Sequence, residues 1–194
     1  MREHLGVLQE ITQAPHKTAT AAYFTRRLGL FTSTQFWNYT LYDEYWSGTA
    51  SEIHWIAVQE FGRLNVSAYI DESQFIVSPD ERLRVIQSIW QLVTDTIESL
   101  SASPAIQRIH WENVFGYLIW HYHVFLQQPD IQAKALADWE VMQSPEAFQG
   151  ENLFAAFTKG RSPGEMLNGV VRTTCCLAKD IPGQVTCGFC PLTN

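Results

Sequence analysis

Cysteine is missing from the first 174 of the 194 residues; all four cysteines fall in the last twenty. That excludes a disulfide scaffold, which spreads its bridges along the chain to compensate for a small core. Cations are also scarce: 13 Lys and Arg stand against 20 Asp and Glu, for a formal net charge of −7. Nucleic acid calls for a basic face, and so does electrostatic attachment to anionic lipid, so neither partner is expected. No run is apolar and long enough for a transmembrane segment. The longest candidate, Val114 to Leu126, is short and contains His121 and His123. The opening residues carry charge throughout with no apolar h-region, so no export signal is expected. Nucleotide signatures are missing as well. Neither a Gly-x-Gly-x-x-Gly nor a Walker sequence occurs, and Gly160, Gly164 and Gly169 have the wrong spacing and no preceding strand. Any redox chemistry therefore needs an external electron donor. No His-Glu-x-x-His pair, facial metal set or local Ser/His/Asp signature is visible.

What is present is concentrated at the C-terminal end. Cys175 and Cys176 are adjacent, ten residues follow, and Cys187 and Cys190 close the set with two residues between them. Four thiolates so near in sequence can converge on one soft metal centre, a tetrahedral zinc site or an iron–sulfur cluster. Cys187-Gly188-Phe189-Cys190 is a knuckle that turns both sulfurs to one side, and Ile181-Pro182-Gly183 reads as the turn that folds the intervening loop back. The adjacent pair is more discriminating. Neighbouring side chains diverge, so Cys175 and Cys176 suit two metals a short distance apart better than one. A [2Fe–2S] centre has two irons that each need two thiolates. Free thiols or two disulfides are the plain alternatives. With 46% hydrophobic residues the chain needs no such staples, and thiolates poised for metal point to a reducing compartment.

The run Arg172-Thr173-Thr174-Cys175-Cys176-Leu177, then Ile181-Pro182-Gly183, then Cys187-Gly188-Phe189-Cys190-Pro191-Leu192, resembles the C-terminal signature of the FhuF-type siderophore-iron reductases. A weaker echo is Trp111-Glu112-Asn113-Val114-Phe115-Gly116-Tyr117-Leu118, similar to an interior helix of that family. The resemblance implies a mostly helical cytoplasmic protein whose Cys175, Cys176, Cys187 and Cys190 bind a [2Fe–2S] cluster. It implies one-electron reduction of siderophore-bound Fe(III), with a ferric siderophore as substrate and an external donor protein or reductant as partner. Two other readings stay open: a zinc-stapled, non-enzymatic interaction domain, and an iron–sulfur sensor or electron carrier. Arg172 stands either as a cation compensating the cluster's charge or as a surface salt-bridge partner.

The expected fold is α+β and mostly helical. Helices are predicted over 3–13, over 18–28 with Gly29 as the stop, and over 32–45. Alternation at 52–60 and 64–70, with Gly62-Arg63 between, predicts strands, and 74–77 a third. A small antiparallel β-meander at about 52–77 would then pack on the helical body. Ser78-Pro79, Ser103-Pro104, Ser144-Pro145 and Ser162-Pro163 each set a capping hydroxyl before a proline. They predict helices over 79–101, 104–127, 145–158 and 163–173, with another over 131–143. The helix at 104–127 is apolar nearly all round and should be the central one. Residues 1–171 form the body, and 172–194 a cluster-binding segment of the same domain. His110, His121 and His123, together with Trp55 and Trp90, read as core or interface residues; no substrate-binding residue is identified.

Overall fold

The computed structural model describes residues 5–60, 62–169, 172–184 and 190–192. Its helices are α1 (Leu5–Thr12), α2 (Lys17–Tyr42), α3 (Arg82–Leu100), α4 (Pro104–Phe125), α5 (Gln132–Gln143), α6 (Leu153–Thr158) and α7 (Pro163–Leu167). Its strands are β1 (Glu44–Trp46), β2 (His54–Glu60), β3 (Arg63–Tyr69) and β4 (Phe75–Val77). The fold is α+β and mostly helical, and the antiparallel strands all lie between α2 and α3. Among the described residues no helix is long and apolar enough to cross a membrane.

Gly29 does not stop a helix; α2 runs through it for 26 residues. The glycine is instead where α2 crosses α4. A Cβ there would lie 2.8 Å from Tyr117 Cδ2 and 3.0 Å from Val114 Cα. Lack of a side chain lets the two backbones approach, and α2 and α4 share the most extensive helix–helix interface of the molecule. The stop comes at Asp43, which adopts φ 56° and donates its amide to Tyr39 O at 2.9 Å. The chain then leaves at once into β1, so the predicted helix over 32–45 ends three residues early.

The strands form two separate two-stranded ladders. β2 pairs with β3 as expected, from His54 opposite Tyr69 to Glu60 opposite Arg63, with Gly62 at φ +76° in the tight connection. The third predicted strand, β4, pairs back with β1 across the start of the region, Glu44 opposite Val77. Trp46 locks this second ladder: its Nε1 donates to Asp71 O at 3.1 Å, and Gln35 Oε1 of α2 accepts its amide at 3.0 Å.

The Ser-Pro starts behave in three ways. Ser103-Pro104 and Ser162-Pro163 open α4 and α7, and Ser162 with Glu165 makes a complete capping box. Ser78 Oγ donates to Glu81 Oε2 at 2.6 Å, but α3 begins only at Arg82. Ser144-Pro145 starts a single 3₁₀ turn, and the helix predicted from 145 forms as α6, capped by Asn152 Oδ1 on the Ala155 amide at 2.7 Å.

Trp90 anchors the main core, with Phe36, Phe115, Phe148 and Phe154 at centroid distances of 4.9–5.7 Å. Trp55 is half-buried on Phe24, 4.6 Å away. Both tryptophans thus serve packing, as the sequence predicts. A buried polar node ties α2, α3 and α5 together: Asp138 accepts from Thr40 Oγ1 at 2.6 Å and from Arg82 Nε at 2.7 Å. Burial pushes the Asp138 carboxyl above the usual carboxylate range, against the opposing pull of Thr40 and Arg82.

Gly29→Val is expected to cost about 1–3 kcal/mol by overpacking the α2–α4 crossing. A urea titration checks this: the midpoint should fall with an unchanged slope, and an unchanged midpoint would show that the crossing yields freely.

Candidate metal centre

The C-terminal segment is fastened to the body through one carboxylate. Glu112 lies in the first half of α4, where its side chain is only 4% exposed. A carboxylate taken out of water needs donors for both oxygens. Residues 173 and 174 supply four. The amides of Thr173 and Thr174 donate to Glu112 Oε2 at 3.1 Å and 2.9 Å, and Thr174 Oγ1 donates to the same oxygen at 2.7 Å. Thr173 Oγ1 donates to Oε1 in the shortest bond of the set. Two guanidinium groups flank it: Arg172 Nε at 3.8 Å and, one helical turn back, the exposed Arg108 Nε at 3.5 Å. Charge-assisted bonds of this kind are each worth about 1.5–3 kcal/mol net.

Arg172 is itself buried, at 6% exposure, so it is not a surface salt-bridge residue. Its Nε also donates to Thr174 O at 3.2 Å, which curls the backbone of 172–174 around the guanidinium. Its Nη2 is buried with no hydrogen-bond partner among the described residues.

The cysteines follow directly. Cys175 is partly exposed, and Cys176 and Cys190 are buried. No disulfide joins these three. The Leu177 amide donates to Cys175 Sγ at 3.4 Å, and Leu177 itself takes the left-handed conformation at φ 57°. A 3₁₀ turn over 178–180 then leads to the predicted Ile181-Pro182-Gly183 turn, closed by the Gln184 amide on Ile181 O at 3.1 Å. Gly183 sits at φ +71°, as the third position of a type II turn requires. Ile181 is buried with Leu5, Leu8, Phe24 and Leu100, so the loop between the cysteine pairs contributes to a core cluster. Arg26 Nη1 holds it further by donating to Gln184 Oε1 at 3.3 Å. Cys187 and the rest of the knuckle through Phe189 lie outside the described residues. Among the described residues no three His, Cys, Asp or Glu side chains converge closely enough to hold a metal ion.

The donor chemistry present fits a thiolate-bound, negatively charged centre. Thiolates are soft ligands, suited to zinc and to iron–sulfur clusters alike. The orphaned Arg172 Nη2 is the further observation. A buried cationic donor without an acceptor among the described residues is costly, and an anionic group within its reach would relieve it. An amide already directed at Cys175 Sγ serves the same end, because hydrogen bonds to sulfur stabilise thiolate charge.

In the sequence Glu112, Thr173 and Thr174 are only positions within two motifs, with no local pattern that assigns them a role. The available signal was a lone carboxylate on a helix otherwise apolar nearly all round, which has to find donors somewhere. The stretches 111–118 and 172–177, both part of the resemblance, are in contact through it.

The three histidines of α4 do not assemble a site. His121 Nδ1 lies 3.0 Å from Tyr117 O, and His123 Nε2 lies 2.6 Å from Gln127 Nε2. Burial lowers the His121 pKa. His110 is wholly buried, with Nδ1 3.2 Å from Thr25 Oγ1. Asn113 Nδ2 bonds the same hydroxyl at 3.1 Å, so the group pins α4 to α2. Burial alone drives His110 from 6.5 down to about 4. Between those values the unfolded chain takes up a proton that the folded chain refuses. This contribution to stability is therefore intact above pH 6.5 and is lost as pH falls toward about 4, by about 3 kcal/mol in full. Urea midpoints measured across that window should decline less steeply for His110→Gln than for the parent chain, and equal slopes would assign the acid loss to another group.

The chain matches no family model, no curated protein and no solved structure in the three comparisons made.

Proposed function

We propose that this protein is a [2Fe–2S] ferric-siderophore reductase, which takes electrons from an external donor and reduces siderophore-bound Fe(III) in the cytoplasm. The observation that carries the reading is the tail itself: four cysteines in the Cys-Cys-x10-Cys-x2-Cys pattern, with the first pair fixed to α4 through Glu112. Cys175, Cys176, Cys187 and Cys190 would be the ligands. When bound, a cluster of this type supplies single electrons, at about −400 mV if it behaves like plant-type ferredoxin centres.

The substrate chemistry explains why one electron suffices. Fe(III) is a hard cation held tightly by siderophore oxygens. Fe(II) is softer and held more weakly by the same donors, so it passes to other ligands. The chain's own residues have three tasks. Glu112, Thr173 and Thr174 fix the backbone that carries the first two ligands. The Leu177 amide donates to the Cys175 sulfur, and Arg172 contributes a buried cation to the segment just before the cysteine pair. Ile181, seated in the core, keeps the ligand loop folded back on the body. The partial exposure of Cys175 suits electron entry and exit at the surface.

Anaerobically purified protein, reduced with dithionite and mixed with a ferric siderophore, tests the reading. The expected result is two irons and two acid-labile sulfides per chain, and reoxidation faster by ferric siderophore than by a simple ferric chelate. Cys187→Ser should lose the colour and the activity while keeping its helical signal. A colourless protein with one zinc would favour the zinc-stapled domain. A coloured protein indifferent to siderophore would favour a sensor or carrier.

A further inference from the structure

Glu112 belongs to no ligand set, yet the structure spends a buried carboxylate on it. Its acceptor sites are taken up by residues 173 and 174, immediately before the cysteine pair. The Arg172 guanidinium is packed against it, with Nε 3.8 Å from Oε2 and Nη2 without a partner among the described residues. An ordinary structural ion pair would be satisfied by direct bonds between the two side chains. Here the closest approach is long, while the carboxylate's short bonds all go to the threonines. The arrangement holds a backbone and leaves a cation partly unsatisfied.

We infer that Glu112 is the positioning residue of the Cys175–Cys176 ligand pair, and that it seats Arg172 as the cation which offsets negative charge on the thiolate-bound centre. This rests on the redox reading above. Consecutive amides directed at one acceptor fix the direction of the chain, as in backbone anion nests. Two hydroxyls add a second pair of contacts, so the 173–174 segment has little freedom to rotate. Cys175 leaves this segment already aimed. Arg172 cannot turn outward, because its Nε is held by Thr174 O at 3.2 Å. Charge and hydrogen bonds near the sulfurs are what set the potential of such centres. Glu112 and Arg172 carry opposite charges, so neutralising each should shift the potential in opposite directions.

The test compares Glu112→Gln and Arg172→Gln with the parent chain by redox titration of the reconstituted protein, with iron and sulfide counted and melting followed. Arg172→Gln should disfavour the reduced state by about tenfold, a fall of about 59 mV for a one-electron couple. Glu112→Gln should either raise the potential or, if seating fails, lose iron and sulfide while the helical signal stays. Full cluster content with the parental potential in both variants overturns the inference. A second readout needs no cluster. Hydrogen exchange at the Thr173 and Thr174 amides in metal-free protein should speed up at least tenfold in Glu112→Gln, and unchanged exchange overturns the seating. If the parent chain binds no cluster, the redox reading fails, and the exchange experiment still decides whether Glu112 seats the tail.

Discussion

Removing a carboxylate from water costs several kcal/mol unless donors surround it, and at Glu112 that demand organises the end of the chain. The donors come from the one segment that precedes the cysteine pair. Satisfying the carboxylate and docking the tail are therefore the same event. A tail bound by apolar contact alone could slide; one bound by two amides and two hydroxyls has a single register. The physical consequence is that the first two cysteines are placed by the central helix, although they are distant from it in sequence.

The body exists to hold that helix still. Gly29 lets α2 lie close along α4, and the Thr25–His110–Asn113 group adds polar contacts within the same crossing, beside Glu112. The Asp138 node fixes α2 to α3 and α5 on the other side of the core. Trp90 and its ring of phenylalanines fill the space between. Ile181 then returns the ligand loop to the body beside Leu5 and Leu8, so the tail is held at both 172–174 and 181–184.

Much of this pattern is written in local chemistry. The helical stripe of α3, the apolar α4, the hairpin at Gly62 and the Ile181-Pro182-Gly183 turn are all consequences of neighbours in sequence, and each formed where periodicity or turn chemistry put it. The features that eluded local reading depend on residues far apart. Gly29 has the look of a helix stop, and only the approach of Tyr117 and Val114 makes it a crossing point. Residues 44–46 continue an aromatic helix by pattern, yet pairing with 75–77 draws them into a strand. Ser78 carries a capping signature, but α3 starts after Glu81. At the site, the spacing of the cysteines singled out candidate ligands, whereas the partner of Glu112 lies some sixty residues away and no local pattern could name it. Arg172 had two readings in sequence; its burial removes the surface one.

A buried carboxylate docks the tail, and the four thiolates of that tail are proposed to hold a pair of irons. X-ray absorption at the iron edge of anaerobically prepared protein tests their union most directly. The account predicts a first shell of sulfur alone and a second iron as near neighbour. A shell containing oxygen or nitrogen ligands without an iron neighbour would contradict it, as would a protein that takes up zinc and leaves iron in solution.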